Sequence, residues 1–119
     1  MSENRNKSVG GLVISEEVIA KMVSAAALEV AGVDRLVPRS SDLKGLFHKD
    51  KTAGAVHVKV TDSEIVIDVN LGLKHGVRIT DVCEEAQKNI KNTVQNMTGR
   101  AVAKVNINVV DVALPVSEE

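Results

Sequence analysis

The stretch Val56-His57-Val58-Lys59-Val60-Thr61-Asp62-Ser63-Glu64-Ile65-Val66-Ile67-Asp68-Val69-Asn70-Leu71 decides the fold. Val56, Val58 and Val60 alternate with His57 and Lys59. After the turn, Ile65, Ile67, Val69 and Leu71 alternate with Val66, Asp68 and Asn70. A period of two sends alternate side chains to opposite faces of an extended chain. Thr61 to Glu64 supplies the polar, turn-forming residues between the two runs. The pattern predicts an antiparallel β-hairpin with one apolar face and one polar face.

Downstream, Gly72 to Gly76 reads as a connector. Thr80 with Asp81 behind it predicts a helix start. Val82, Cys83, Ala86, Ile90, Val94 and Met97 then recur at helical spacing. Glu84 and Lys88 form an i,i+4 pair, and Gly99 sits where a C-terminal cap belongs. The expected helix spans Asp81 to Thr98. Ala101 to Val112 predicts a last strand, with Val105, Ile107 and Val109 on one face and Asn106 and Asn108 on the other.

Upstream, Gly10 to Ile14 is a short strand candidate. Ser15 followed by Glu16 and Glu17 is a helix N-cap with an acidic first turn. Val18, Ile19, Met22, Val23, Ala26 and Val30 predict a helix from Glu16 to Ala31, with a Glu17–Lys21 pair and Gly32 as its cap. Val33 to Val37 is a short extended piece stopped by Pro38. Arg39 to Gly54 has no clean period and reads as a long loop. Met1 to Ser8 reads as a disordered tail and residues 115–119 as a flexible acidic one.

These elements predict an α+β two-layer sandwich: a small mixed β-sheet with two helices packed on one face. The crossover through the second helix should bring the last strand in parallel to a hairpin strand, by a right-handed connection. One domain, residues 9–114, accounts for the pattern in a chain of 119 residues.

Composition narrows the function. Fifteen Lys and Arg against sixteen Asp and Glu give a formal charge of −1, so no global field draws the chain to nucleic acid or anionic lipid. Cys83 has no intrachain partner, which suits a reducing cytoplasm. The polar N-terminus lacks a signal-peptide apolar stretch, and the longest weakly polar run, Met22 to Leu28, is far short of the ~20 residues that span a bilayer. No Walker loop, GxGxxG, GxSxG or His-Glu-x-x-His motif occurs, and one Cys with three scattered His gives no zinc spacing. Neither a metal nor another cofactor is expected. Cys83 could be a nucleophile, but its place in the helix stripe favours a small buried apolar role. Asp62 with Glu64 and Glu84 with Glu85 are carboxylate pairs on a turn and a solvated helix face. Lys74-His75-Gly76-Val77-Arg78 could hold an anion or be a solvated loop. A pocket gathering His48, His75 and Cys83 would favour an enzyme. The moderately basic run of Arg39, Lys44, His48, Lys49 and Lys51 is diluted by Asp42 and Asp50. A nucleic-acid module is the main rival reading. It lacks an aromatic residue on any strand for base stacking and the GxxG of a KH clamp.

Gly11-Leu12-Val13-Ile14-Ser15-Glu16-Glu17-Val18-Ile19 leads into an Ala-rich helix ending at Ala31-Gly32-Val33. His75-Gly76-Val77-Arg78-Ile79 leads to Met97-Thr98-Gly99, and Val105-Asn106-Ile107-Asn108-Val109-Val110-Asp111-Val112 follows. Together, over about Val9 to Leu114, these resemble the alkaline shock protein family, the envelope stress response proteins of Gram-positive bacteria. The resemblance implies a small cytoplasmic protein responding to alkaline or cell-wall stress. It also implies self-association and a place beneath the membrane held by a separate membrane-anchored protein partner. It implies no catalytic residue. The expected function is that of a non-enzymatic adaptor or scaffold. Its protein-binding surface would be the polar sheet face, carrying His57, Lys59, Asp68, Asn70, Asn106 and Asn108, together with an unpaired strand edge.

Overall fold

Ser15 starts the first helix as its sequence suggests: its backbone is extended and its hydroxyl accepts the Val18 N–H at 3.1 Å. The computed structural model describes residues 13–38 and 54–114. Helix α1 runs Glu16–Leu28, with Glu16 and Glu17 in its first turn. Ser15→Ala removes the capping acceptor and is expected to cost about 1 kcal/mol, lowering Tm by roughly 4–8 °C. Thermal circular dichroism checks this, and Ser15→Asp should retain most of the stability.

The helix ends three residues before Ala31. Val30 N–H donates to the Ala27 carbonyl and Val33 N–H to the Val30 carbonyl, so the chain tightens into successive turns. Gly32, at φ +99°, belongs to this reversal and not to the helix cap, which is Glu29. Strand β1, Val33–Leu36, follows at once. The expected strand at Gly10 to Ile14 is not seen where it is described: Val13 and Ile14 are neither helix nor strand. The expected loop falls almost wholly on 39–53, outside the described residues, as do both tails.

Strands β2 (Val56–Val60) and β3 (Ile65–Leu73) form the expected hairpin, pairing Val60 with Ile65 through Val56 with Val69. Thr61 closes the turn. Its N–H and hydroxyl both donate to the Glu64 carbonyl, and its hydroxyl accepts the Glu64 N–H. Helix α2 runs Ile79–Thr98. Its N-cap is Arg78, not Thr80, and it makes no side-chain cap bond. Gly99 ends it in the left-handed conformation at φ +72°. Strand β4, Val102–Val112, then pairs parallel to β3 along nearly its whole length.

Topology makes β3 the centre. One of its edges is taken by β4. The other is shared end to end by β2, beside Ile65 to Val69, and β1, beside Leu71 to Leu73. β1 and β2 are antiparallel to β3, so the sheet is mixed. α1 lies over β2 and β1, α2 lies over β4, and the helices touch each other. Ile65, Ile67, Val69, Leu71 and Leu73 are wholly buried between sheet and helices, with Ile19, Val23, Ala27, Ile90 and Val94 facing them. The predicted two-layer α+β architecture is the one observed.

Side chains of α2 fasten the layers. Asn89 Nδ2 donates to the Ala26 carbonyl at 2.7 Å and to Glu29 Oε1 at 3.2 Å. Ala26 lies in the last turn of α1, where carbonyls have no intrahelical partner, so Asn89 satisfies an orphan acceptor. Gln95 Oε1 accepts the Val102 N–H at 3.0 Å and holds the start of β4. Arg100 reaches back to the carbonyls of Thr61 and Asp62 in the hairpin turn. Among the described residues the ion pairs are Arg35–Asp34, Arg35–Asp111 and Arg78–Asp81; the expected Glu17–Lys21 and Glu84–Lys88 pairs are not formed.

Candidate functional site

Register fixes what the side of the sheet away from α1 and α2 carries, which is free of helix among the described residues. His57, Asp68 and Asn106 form one transverse row across β2, β3 and β4. Lys59, Val66 and Lys104 form the next row, and Asn70 and Asn108 lie in the row on the other side. In-register neighbours share a face. All six candidate residues therefore lie on one face, opposite Ile65, Ile67 and Val69.

They are not equally accessible. His57, Lys59 and Asn108 are exposed, and Asp68 and Asn106 are half-buried. Asn70 is only 2% exposed. It sits at the seam where β2 gives way to β1. Its N–H donates to the Ala55 carbonyl at 2.8 Å and its carbonyl accepts the Val37 N–H at 3.0 Å. Its side-chain Oδ1 accepts from Asn108 Nδ2 at 3.1 Å, while its Nδ2 is buried with no partner among the described residues. Asn70 therefore ties strands together and offers almost nothing to an incoming partner.

Beyond Asn70 the face is crossed by Arg35. Arg35, Gly72 and Asp111 form a fourth row, and the guanidinium crosses the side-chain-free Gly72 to pair with Asp111 on β4. A Cβ on Gly72 would stand 3.3 Å from Arg35 Cγ and 3.3 Å from Val37 Cγ2. Hydrogen bonds from Asp111 first, then Asp34, raise the guanidinium pKa further above its ordinary value. Both charges stay exposed, so the accessible polar surface continues past Asn70 as a mutually paired Arg35–Asp111 patch.

A second feature lies at the sheet margin. Glu84, Gln87, Lys88 and Lys91 of α2, with Lys104 and Val105 of β4, line a groove of about 310 Å³. Gln87 Nε2 donates to the Val105 carbonyl at 3.2 Å. The sequence predicts an unpaired edge in general terms but not this groove, because α2's position over β4 is a long-range outcome. A smaller cavity of about 210 Å³, lined by Ile14, Ile19, Val60, Thr98 and Arg100, separates the start of α1 from the end of α2.

Neither cavity contains His75 or Cys83, and His48 lies outside the described residues. Cys83 is half-buried on α2, and that burial pushes its thiol pKa up. A raised pKa keeps the group neutral, and only the thiolate is a good nucleophile. Iodoacetamide should therefore label Cys83 more slowly than free cysteine at pH 8. The gap should narrow as pH climbs past the ordinary thiol range, a result read by mass spectrometry. Among the described residues no cluster of three or more His, Cys, Asp or Glu could hold a metal ion, and no helix is long and apolar enough to cross a membrane.

The model of the alkaline shock protein family, described as having a "cell envelope-related function", matches residues 4–114. The chain belongs to the alkaline shock protein family. This agrees with the resemblance drawn from the Gly11–Ile19, His75–Gly99 and Val105–Val112 segments. Curated relatives of this alkaline shock family chain include "Uncharacterized protein YqhY" of Bacillus subtilis (strain 168), 32% identical over 113 residues, covering 92% of the chain and 82% of the relative. "Uncharacterized protein Spy1614" of Streptococcus pyogenes serotype M6 is 30% identical over 112 residues, covering 92% of the chain and 93% of the relative. Among solved structures, a MamM CTD variant matches with a TM-score of 0.52 at 13% identity, over 84% of this chain and 100% of that one. The copper form of another MamM CTD variant gives 0.51 at 12% identity, with the same coverage. At such identity the likeness extends to the fold and no further.

Proposed function

We propose that this alkaline shock family chain is a non-enzymatic adaptor or scaffold of the cell envelope, acting by protein–protein contact and self-association. It works on the cytoplasmic side of the membrane, held there by a membrane-anchored protein partner and not by a span of its own. The observation that carries this reading is the helix-free sheet face, where His57–Asp68–Asn106 and Lys59–Val66–Lys104 lie side by side as accessible, mixed-charge rows. Such a face offers charges of both signs and hydrogen-bonding groups to another protein surface. Family membership, with its envelope-related description, supports the setting. His57, Lys59, Asp68, Asn106 and Asn108 are the proposed contact residues, with Asn70 supporting them from beneath.

The test is double charge reversal, Lys59→Glu with Asp68→Lys, on the full chain. Circular dichroism should show the fold retained. Sedimentation velocity should show weakened self-association, and affinity capture from membrane fractions of a host cell should lose the anchored partner. Unchanged sedimentation and capture would remove this face from the reading. Capture of ribosomal RNA or ribosomal proteins in place of a membrane protein would overturn the adaptor role itself.

A further inference from the structure

The margin of the sheet at β4 differs from the face just described. Ile65 N–H donates to the Ala101 carbonyl at 3.0 Å, so at Ala101 the backbone polar groups point inward to β3. The β3–β4 register then slips between Ile65/Val66, with Val102 and then Lys104 as their partners, leaving Ala103 as an inserted residue. Backbone groups of a strand point alternately to its two sides, and one inserted residue reverses the order. From Lys104 to Val109 the outward residues are therefore Val105, Ile107 and Val109. The Gln87 amide seated on the Val105 carbonyl marks that side directly. A second slip, with Val109 and then Asp111 as partners, inserts Val110 and turns the groups inward again, where Ala113 N–H donates to the Leu73 carbonyl at 2.8 Å. The two inserted residues bracket a run whose outer N–H and C=O groups no strand takes up among the described residues.

Charge sits at one end of this run. Lys88 and Lys91 stand on α2 above the edge and Lys104 on β4 beside it, against a single Glu84. None of the three lysines is in an ion pair among the described residues. A strand edge with free backbone groups takes an extended peptide as an added strand, and the neighbouring side chains choose its sequence. Lysines beside an edge disfavour pairing with neutral or basic strands and favour carboxylates.

We propose that the outer edge of β4 and the α2 groove bind an extended acidic peptide segment of a partner protein by strand addition. Ile107 and Val109 pair with the guest backbone through both N–H and C=O, and Val105 through its N–H, its carbonyl being held by Gln87. Lys88, Lys91 and Lys104 receive its carboxylates. This rests on the adaptor reading and names the partner chemistry, at a sheet edge that shares only Lys104 with the rows of the proposed contact face. Single-stranded nucleic acid would meet the same lysines. With no aromatic residue in β4 to stack a base, though, it would have no use for the backbone edge.

The experiment titrates the full chain into fluorescein-labelled ten-residue peptides and reads anisotropy at low and at 0.5 M salt. The peptides are an alternating Glu-Val sequence, its Lys-Val counterpart, and the Glu-Val sequence with two central residues replaced by Pro. The first should bind at least tenfold more tightly than either of the others. Lys88→Glu, Lys91→Glu and Lys104→Glu combined should abolish that preference with the circular dichroism spectrum unchanged. Amide exchange at Ile107 and Val109, followed by NMR, should slow on adding the Glu-Val peptide. Equal binding of the Pro-containing peptide, equal binding of a ten-nucleotide single-stranded RNA, or an unmoved exchange rate at Ile107 and Val109 would overturn strand addition. So would peptide-independent protection of those amides that rises with protein concentration, because a second copy would then occupy the edge. Failure here with partner capture still sensitive to Lys59 and Asp68 would sink the groove and leave the adaptor reading standing.

Discussion

Ile67→Ala should lower Tm by roughly 10–25 °C, while His57→Ala, on the neighbouring strand but the opposite face, should shift it only slightly. Ile67 is wholly buried at the centre of β3, with Val58 and Val105 in register on either side and both helices above. Truncating a buried Ile removes transfer free energy and leaves a cavity, costing about 2–5 kcal/mol. A domain of this size has about 5–15 kcal/mol in total, and each kcal/mol is worth roughly 4–8 °C. His57 is exposed, and a surface change of that kind stays within about 0.5 kcal/mol. Thermal unfolding followed by circular dichroism measures both. Comparable losses for the two variants would mean that the sheet is covered on both faces, which would remove the accessible surface on which the adaptor reading depends.

That contrast was legible in the sequence, since period-two alternation names both faces of β2, β3 and β4 without any coordinates. The parallel return of β4 was legible too, because a helix of this length between two strands permits little else. What local pattern could not reach depends on contacts between distant residues. β1 is four residues long and has no strong alternation. It becomes a strand because Val33 pairs with Leu73, far along the chain. Placing β1 and β2 end to end on one edge of β3 creates the seam at Asn70, which is why a residue on the polar face is nevertheless buried. Arg35 and Asp111 are both ordinary exposed charges in sequence. Only the shared register with Gly72 lets one reach the other. Asn89, which reads as a solvated helix position, is recruited by an unpaired carbonyl on α1. Periodicity reports which face a residue occupies. It does not report what lies across that face, so the shared face of the candidate residues is legible in sequence while their accessibility is not.

Gly32→Ala is the substitution that most directly tests how α1, β1 and α2 meet. Gly32 has φ +99°, a conformation that costs an L-residue about 1–2 kcal/mol. Gly76 at φ +84° and Gly99 at φ +72° carry the same backbone cost, but a Cβ at either would meet nothing within 4 Å. At Gly32 a Cβ would fall 2.7 Å from Val82 Cγ2 and 3.3 Å from Val77 Cγ1. Val82 is buried in the first turn of α2, and the Gly32 carbonyl is held by the Lys74 N–H at 2.8 Å, so neither side can withdraw freely. Overpacking of this kind adds about 1–3 kcal/mol. Gly32→Ala is therefore expected to destabilise about twice as much as Gly76→Ala or Gly99→Ala, read as the urea midpoint at constant m-value. The steric share is separable. In a Val82→Ala background the methyl at 2.7 Å is gone and Val77 Cγ1 at 3.3 Å remains, so the added cost of Gly32→Ala should fall most of the way to that of the other two glycines. If it does not fall, α2 does not rest on the α1–β1 turn. The position of its lysines over the β4 edge would then need another cause.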